Sequence, residues 1–280
     1  MFEPWHYLAI AGLGLAAGLL GGMLGVGGSV IMIPGLVVLF GQGTREGFEG
    51  FNQHVYQASA MVVTVLVSAP AAWRHYRKGA AVPRALRLIL PWALAATLAG
   101  VWVSNLSIFE DGIGETSGPV MLGRVMAVFL VYVIVENVRK MFRPARPVDA
   151  PVDLTYVTPV RSSVVGGGMG LVAGLTGLGG GAVAVPLQQV LLKLRLRNCI
   201  ANSSAMICLT GVVGSIYKHA TLGNHGLNAS TGFILAGLLA PTAVLGGYLG
   251  AGLTHILPVR LVRAVFILLM VVATWKMAAV

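Results

Sequence analysis

The chain has 280 residues, of which 56% are hydrophobic and 10% charged, with a mean hydropathy of +0.84. An average soluble domain carries about 25% charged residues, so this composition excludes a soluble globular protein and points to one integral membrane unit. The net charge of +10 would suit a nucleic-acid partner, but basic loops on one side of a bilayer account for it and no nucleic acid is expected.

Apolar runs mark ten segments, at residues 6–24, 28–40, 54–73, 84–106, 119–141, 161–177, 180–193, 199–217, 229–255 and 259–279. Most reach the roughly 18 residues that a membrane-crossing helix needs. The stretch Met1 to Tyr7 holds Glu3 but no Lys or Arg ahead of the first run. It lacks the basic front end of a secretory signal and reads as part of the mature protein. The second and seventh segments, at about 13 residues, span only about 20 Å of a core about 30 Å thick. Each follows a glycine-rich break. The eighth segment carries the two cysteines, Cys199 and Cys208. Within one helix they cannot pair, and they match no metal-ligand spacing, so they read as small core residues. No metal or cofactor is expected.

The chain repeats itself. Gly18-Leu19-Leu20-Gly21-Gly22-Met23-Leu24-Gly25-Val26-Gly27-Gly28-Ser29 leads to Pro34. Gly170-Leu171-Val172-Ala173-Gly174-Leu175-Thr176-Gly177-Leu178-Gly179-Gly180-Gly181 leads to Pro186 in the same register. Further matches follow in order: Ala58-Ser59-Ala60-Met61 with Ser203-Ser204-Ala205-Met206, then Trp73-Arg74-His75 and Gly79 with Tyr217-Lys218-His219 and Gly223. Pro91 and Gly100 then match Pro241 and Gly250, and Ala127-Val128-Phe129 matches Ala264-Val265-Phe266. The fold expected is an all-α integral membrane protein of two inverted-topology repeats, each of about five segments. Residues 1–142 form the first repeat, 143–159 a proline- and charge-rich cytoplasmic linker, and 160–280 the second.

Inversion follows because five segments per half is an odd number, as is three if each glycine-broken pair is a re-entrant hairpin. Charge agrees. Of the 19 basic residues, Arg74, Arg77, Lys78, Arg84, Arg87, Arg139, Lys140, Arg143, Arg146, Arg161, Lys193, Arg195, Arg197, Arg260 and Arg263 fall on one face. The other face keeps Arg45, Arg124, Lys218 and Lys276, with acidic Glu46, Glu49, Glu110, Asp111 and Glu115. The basic face is then cytoplasmic and both termini periplasmic or extracellular.

Short, Gly/Pro-interrupted segments at matching places in two halves point to a transporter site near the midplane. The helices after the breaks begin at Gly27-Gly28-Ser29 and Gly179-Gly180-Gly181. Their first amides lack intrahelical partners and carry the positive dipole end, so two converging ends make an anion site without a buried Arg or Lys. The other reading of these glycines is close helix packing. A dinucleotide fingerprint starting at Gly177-Leu178-Gly179 lacks the strand and acidic residue that it requires. Asn52, Gln53, His54, Gln57 and Ser59 open the third segment, and Asn198, Asn202, Ser203 and Ser204 the eighth. Such amides and hydroxyls either replace an oxyanion's hydration or tie helices together. His75 and His219, at equivalent repeat positions, either relay protons for coupling or sit among the headgroups.

The doubled Gly-x-Gly-Gly turns followed by Pro34 and Pro186, with Ser59 and Ser203-Ser204, resemble the sulfite exporter TauE/SafE family of membrane permeases over almost the whole chain. One departure is Ser29, where the family shows a third glycine. The resemblance implies a bacterial inner-membrane, multi-pass permease for sulfur-containing anions such as sulfite or small organosulfonates, acting as an exporter. Its partners would be a small anionic substrate and membrane lipid, and a homodimer suits so small a bundle. Two other readings are a channel lined by the same breaks and an intramembrane hydrolase using Ser29. Against the hydrolase, the repeat position matching Ser29 is Gly181.

Overall fold

The computed structural model describes residues 3–24, 27–41, 51–106, 118–142, 153–253 and 259–278. These residues form ten α-helices and no strand: α1 (Pro4–Leu24), α2 (Ser29–Phe40), α3 (Gln53–Arg77), α4 (Pro83–Ser104), α5 (Gly118–Phe142), α6 (Pro159–Thr176), α7 (Gly181–Leu191), α8 (Leu196–Thr221), α9 (Ala229–Leu253) and α10 (Val259–Ala278). Each expected segment has its helix. Residues 143–152 of the expected linker and the acidic Glu46, Glu49, Glu110, Asp111 and Glu115 lie outside the described residues. Six helices, α1, α3, α4, α5, α8 and α9, are long and apolar enough to cross a membrane, whereas α2 and α7 are short apolar helices.

Local chemistry sets several helix ends. The Asn52 side chain caps α3 by accepting from the amides of His54 and Val55 at 3.0 and 3.4 Å. Pro83 opens α4 and Pro159 opens α6, where a missing N–H costs nothing. Thr158 caps α6 through the amide of Arg161, and that helix stops at Gly177 in the left-handed region (φ +74°). The outer surface is apolar. Leu8, Val128, Val160, Ile216 and Leu268 are each more than half exposed, a state that suits lipid and not water.

Glycine decides how the helices pack. Gly14, Gly18 and Gly22 of α1, one per turn, press on α9, and a Cβ on Gly18 would collide with the carbonyl oxygen of Ala243. Gly166, Gly170 and Gly174 of α6 press on α4 in the same way, and a Cβ on Gly174 would collide with the Thr97 carbonyl. Small residues at every fourth position let membrane helices approach backbone to backbone. Contacts advance together along both pairs, Gly14 with Leu239 and Gly22 with Gly247, Gly166 with Ile89 and Gly174 with Thr97, so each pair is parallel.

The pair α3 and α8 runs antiparallel at the centre: Gly214 lies against Met61, Gly211 against Val65, and the amide of Asn198 reaches the Ala80 carbonyl. Both short helices fold back on their predecessors, Gly35 of α2 onto Leu13 of α1 and Gly168 of α6 onto Leu187 of α7. The contacts α1·α9 and α4·α6, α3·α9 and α4·α8, α1·α2 and α6·α7, α2·α3 and α7·α8 thus come as corresponding pairs. Pro34 and Pro186 lie within α2 and α7.

Candidate functional site

The tips of the two folded-back helix pairs meet at mid-height of α3 and α8. A Cβ built on Gly27 would lie 3.6 Å from Thr64 Cγ2, 3.8 Å from Ser29 Oγ and 4.0 Å from the Leu178 carbonyl oxygen. One on Gly179 would lie 3.3 Å from the same Thr64 methyl and 3.9 Å from the same Ser29 hydroxyl. Both breaks therefore border one spot. Gly27, Gly179 and Gly180 have φ of +88°, +70° and +69°, a region that side chains with a Cβ rarely enter. Gly28 and Gly180 are the N-caps of α2 and α7 with no capping side chain, and Gly181 is the buried first residue of α7. The first amides of both helices are left without a side-chain acceptor, as an anion requires.

Two side chains beside this spot, Ser29 through its hydroxyl and Thr64 through its methyl, also carry unsatisfied hydroxyls. Ser29 Oγ and Thr64 Oγ1 are buried and have no hydrogen-bond partner among the described residues. A buried polar group without a partner costs about 1–3 kcal/mol, so two beside two helix N-termini mark a place where a polar ligand would complete the bonding. Thr64 was not legible as a site residue: it sits in the apolar run Met61–Val67 with no polar repeat partner to single it out.

A cavity of about 580 Å³ leads from the surface to this spot. Gly27 and Thr64 close its inner end, Ser68 and Ser204 lie on its walls, and Arg74 and His75 from the last turn of α3, with Lys78 at its C-cap, line its mouth. No acidic residue among the described residues lines it. The Arg74 guanidinium lies over the Tyr248 ring of α9, 5.6 Å from its centroid. The cavity is cationic at the entrance and neutral and hydroxylic at the end, a gradient that draws an anion inward.

The remaining polar candidates are spent on structure or lie beside the breaks. Asn52 is the cap of α3 described above. Gln53 Nε2 donates to Met126 Sδ at 3.0 Å on α5. Gln57 packs against Gly177 and donates to the Leu175 carbonyl at 3.1 Å, with its own Oε1 buried and unpartnered. Ser59 donates to the carbonyls of Val55 and Gly232, tying α3 to α9. Asn202 donates to Gln188 Oε1 at 3.0 Å and accepts from the Val82 amide at 2.9 Å, while Gln188 Nε2 donates to Ser203 Oγ at 3.1 Å. This network joins α7, α8 and the turn before α4. Ser204 lines the cavity and donates to the Ile200 carbonyl.

The two repeat-related histidines lie at opposite ends of the molecule. His75 is at the cavity mouth. His219 is buried at the far end of α8, its Nδ1 2.8 Å from the Ser215 carbonyl and its ring stacked on Phe233 at 4.0 Å. Beside it Lys218 is wholly buried, donating to Ser104 Oγ at 2.7 Å and reaching Asn105 Oδ1 at 3.4 Å. His225 Nε2 lies 3.1 Å from the same Asn105 oxygen, and its ring stacks on His54 at 3.9 Å.

Comparison with known proteins finds membrane transporters. The chain is 29% identical to the probable membrane transporter protein MamO of Magnetospirillum gryphiswaldense, over 96% of this chain and 44% of that protein. It therefore spans less than half the length of that relative, as it does of the MamO of Paramagnetospirillum magneticum, of which it covers 43%. It is 22% identical to the probable membrane transporter protein YunE of Bacillus subtilis, over 89% of each chain. A probable membrane transporter protein of Haemophilus influenzae is 27% identical, over 95% of each. No solved structure matches. The sulfite exporter TauE/SafE family matches residues 10–277, nearly the whole chain, and the chain belongs to that family of membrane transporters.

Proposed function

We propose that the chain is a secondary transporter, an exporter, of small sulfur-containing anions such as sulfite or organosulfonates, working by alternating access. The observation that carries this reading is the cavity. Among the described residues its charged lining is Arg74, His75 and Lys78 at the mouth, His75 when protonated, and its inner end at Gly27 and Thr64 adjoins the place where two helix N-termini meet beside the Ser29 hydroxyl. The name of the family supplies the sulfur oxyanion, whose charge and acceptor oxygens suit such donors.

Two inverted repeats supply the motion. The antiparallel central pair α3 and α8, the folded-back pairs α1–α2 and α6–α7, and the paired helix contacts support an inverted architecture with re-entrant hairpins. The basic mouth of the cavity then faces the cytoplasm of a bacterial inner membrane, with both termini on the other side. Exit of an anion is favoured by an inside-negative potential, worth about 2.3 kcal/mol per charge per 100 mV. Because the cavity stops at Gly27 and Thr64, a carrier cycle suits it better than a continuous pore. Against the hydrolase reading, the Ser29 hydroxyl has no hydrogen-bond partner among the described residues to serve as base.

The test is counterflow in proteoliposomes with sulfite, thiosulfate, sulfate, sulfoacetate and taurine. Saturable exchange of one sulfur anion is expected, and Ala71→Trp, which fills the cavity, abolishes it in a folded protein. Absence of exchange with every member of the panel overturns the anion reading.

A further inference from the structure

The repeat places Arg74 and Lys218 at equivalent positions, yet their surroundings are opposite. Arg74 of α3 faces α9 of the other half across the open cavity, exposed at its mouth. Lys218 of α8 faces α4 of the other half across a closed seam and is wholly buried. Because α3 and α8 are antiparallel, the two cations sit at opposite ends of the molecule.

The closed seam carries an unusual burden. Lys218 Nζ touches only neutral oxygens, Ser104 Oγ at 2.7 Å and Asn105 Oδ1 at 3.4 Å, and no carboxylate among the described residues. The amide nitrogen of Asn105 is itself buried without a partner among the described residues. A buried ammonium that lacks an anionic partner is costly, and stability alone would favour an apolar residue there. His225, stacked on His54, lies against the same asparagine. Among the described residues, Lys218 and the Asn105 amide therefore hold donors in excess of acceptors.

Resting on the anion-transport reading, we propose that the α4–α8 seam is the second gate of the carrier, shut in this conformation. When it opens, Lys218 Nζ and the Asn105 amide bind the oxyanion on the face opposite Arg74. The inner mouth and this seam are then one device used twice, α3 against α9 and α8 against α4, with one open while the other is closed. In the closed state the Ser104 hydroxyl and Asn105 carbonyl stand in for the anion's oxygens.

Cysteine accessibility tests the gate without knowledge of the substrate. In a Cys199→Ala, Cys208→Ala background, Arg74→Cys and Lys218→Cys are placed singly in oriented membrane vesicles and treated with a membrane-impermeant methanethiosulfonate. Arg74→Cys should react from one face and Lys218→Cys from the other, with Ser104→Cys following Lys218→Cys as a second probe that leaves the charge in place. Reaction of both Lys218→Cys and Ser104→Cys from the face of Arg74→Cys, or from neither face in folded protein, overturns the gate. For the anion contact, Lys218→Met should slow sulfur-anion exchange by about tenfold, the value of one charge-assisted hydrogen bond, and Lys218→Arg should restore it. Wild-type exchange rates in Lys218→Met overturn that contact. Opposite-face labelling in a protein that exchanges no anion on the panel supports the gate and overturns the anion reading beneath it.

Discussion

At the scale of single residues, polar groups in this bundle divide by whether the protein itself completes their hydrogen bonds. Gln188, Asn202 and Ser203 satisfy one another, whereas the Ser29 and Thr64 hydroxyls satisfy no one. Opposite consequences follow for substitution. Thr64→Val keeps the shape and removes the unpartnered hydroxyl, so thermal stability should hold or rise while anion affinity, read by calorimetry, falls about tenfold. Gln188→Leu should do the reverse, costing about 1–3 kcal/mol in thermal unfolding for the Asn202 and Ser203 groups left unpaired and leaving affinity near wild type. This division explains what could be read in advance. Ser29 stood out because it follows a glycine break, but Thr64 is flanked by valines and looks like any membrane-helix residue. Asn52, Ser59, Asn202 and Ser203 announced polarity. Whether a polar side chain serves a cap, a neighbouring helix or a ligand depends on which way it points, and a linear pattern does not carry that.

Among the helices, glycine plays two roles that the sequence runs together. At Gly27, Gly179 and Gly180 it permits positive φ; along α1 and α6 it permits contact with a neighbouring backbone. The apolar runs and the breaks between them were enough to locate all ten helices, because long hydrophobic stretches and Gly/Pro interruptions are local signals. The partner of each helix was not legible, since contact between α1 and α9 depends on residues more than 200 positions apart. The packing role can be isolated experimentally within one turn of α6. Gly170→Ala puts a Cβ against the Ala93 carbonyl and should destabilise the protein by about 1–3 kcal/mol. Gly167→Ala meets nothing within 4 Å and should be neutral or stabilising by up to about 1 kcal/mol, as helix propensity favours alanine. Thermal unfolding in detergent distinguishes them.

For the molecule as a whole, positive charge is gathered at one end of the cavity. Arg74, His75 and Lys78 gather at the cavity mouth, and no other described residue of the lining is charged. Such a mouth raises the local concentration of anions, an effect that salt screens over a Debye length of about 8 Å at 0.15 M ionic strength. The double variant Arg74→Glu, Lys78→Glu should lower the initial rate of anion uptake from the basic face by about tenfold at low ionic strength. The deficit should shrink as salt is added, as initial rates across a salt series would show. An equal deficit at every salt concentration would mean that these side chains hold the anion directly and do not merely steer it.

The exchange of partners between the halves also bears on how the molecule is made. The first helix lies parallel against α9, which begins at residue 229, and α4 lies against α6 of the later half. A ribosome adding roughly 5–20 residues per second takes on the order of 10–40 s to travel from the end of α1 to the start of α9. Throughout that interval the glycine stripe of α1 has no permanent mate and must be sheltered by lipid or by the insertion machinery. Assembly of the first half therefore cannot be completed before the second has been synthesised, and a nascent chain truncated ahead of α9 should be a substrate for membrane quality-control proteases.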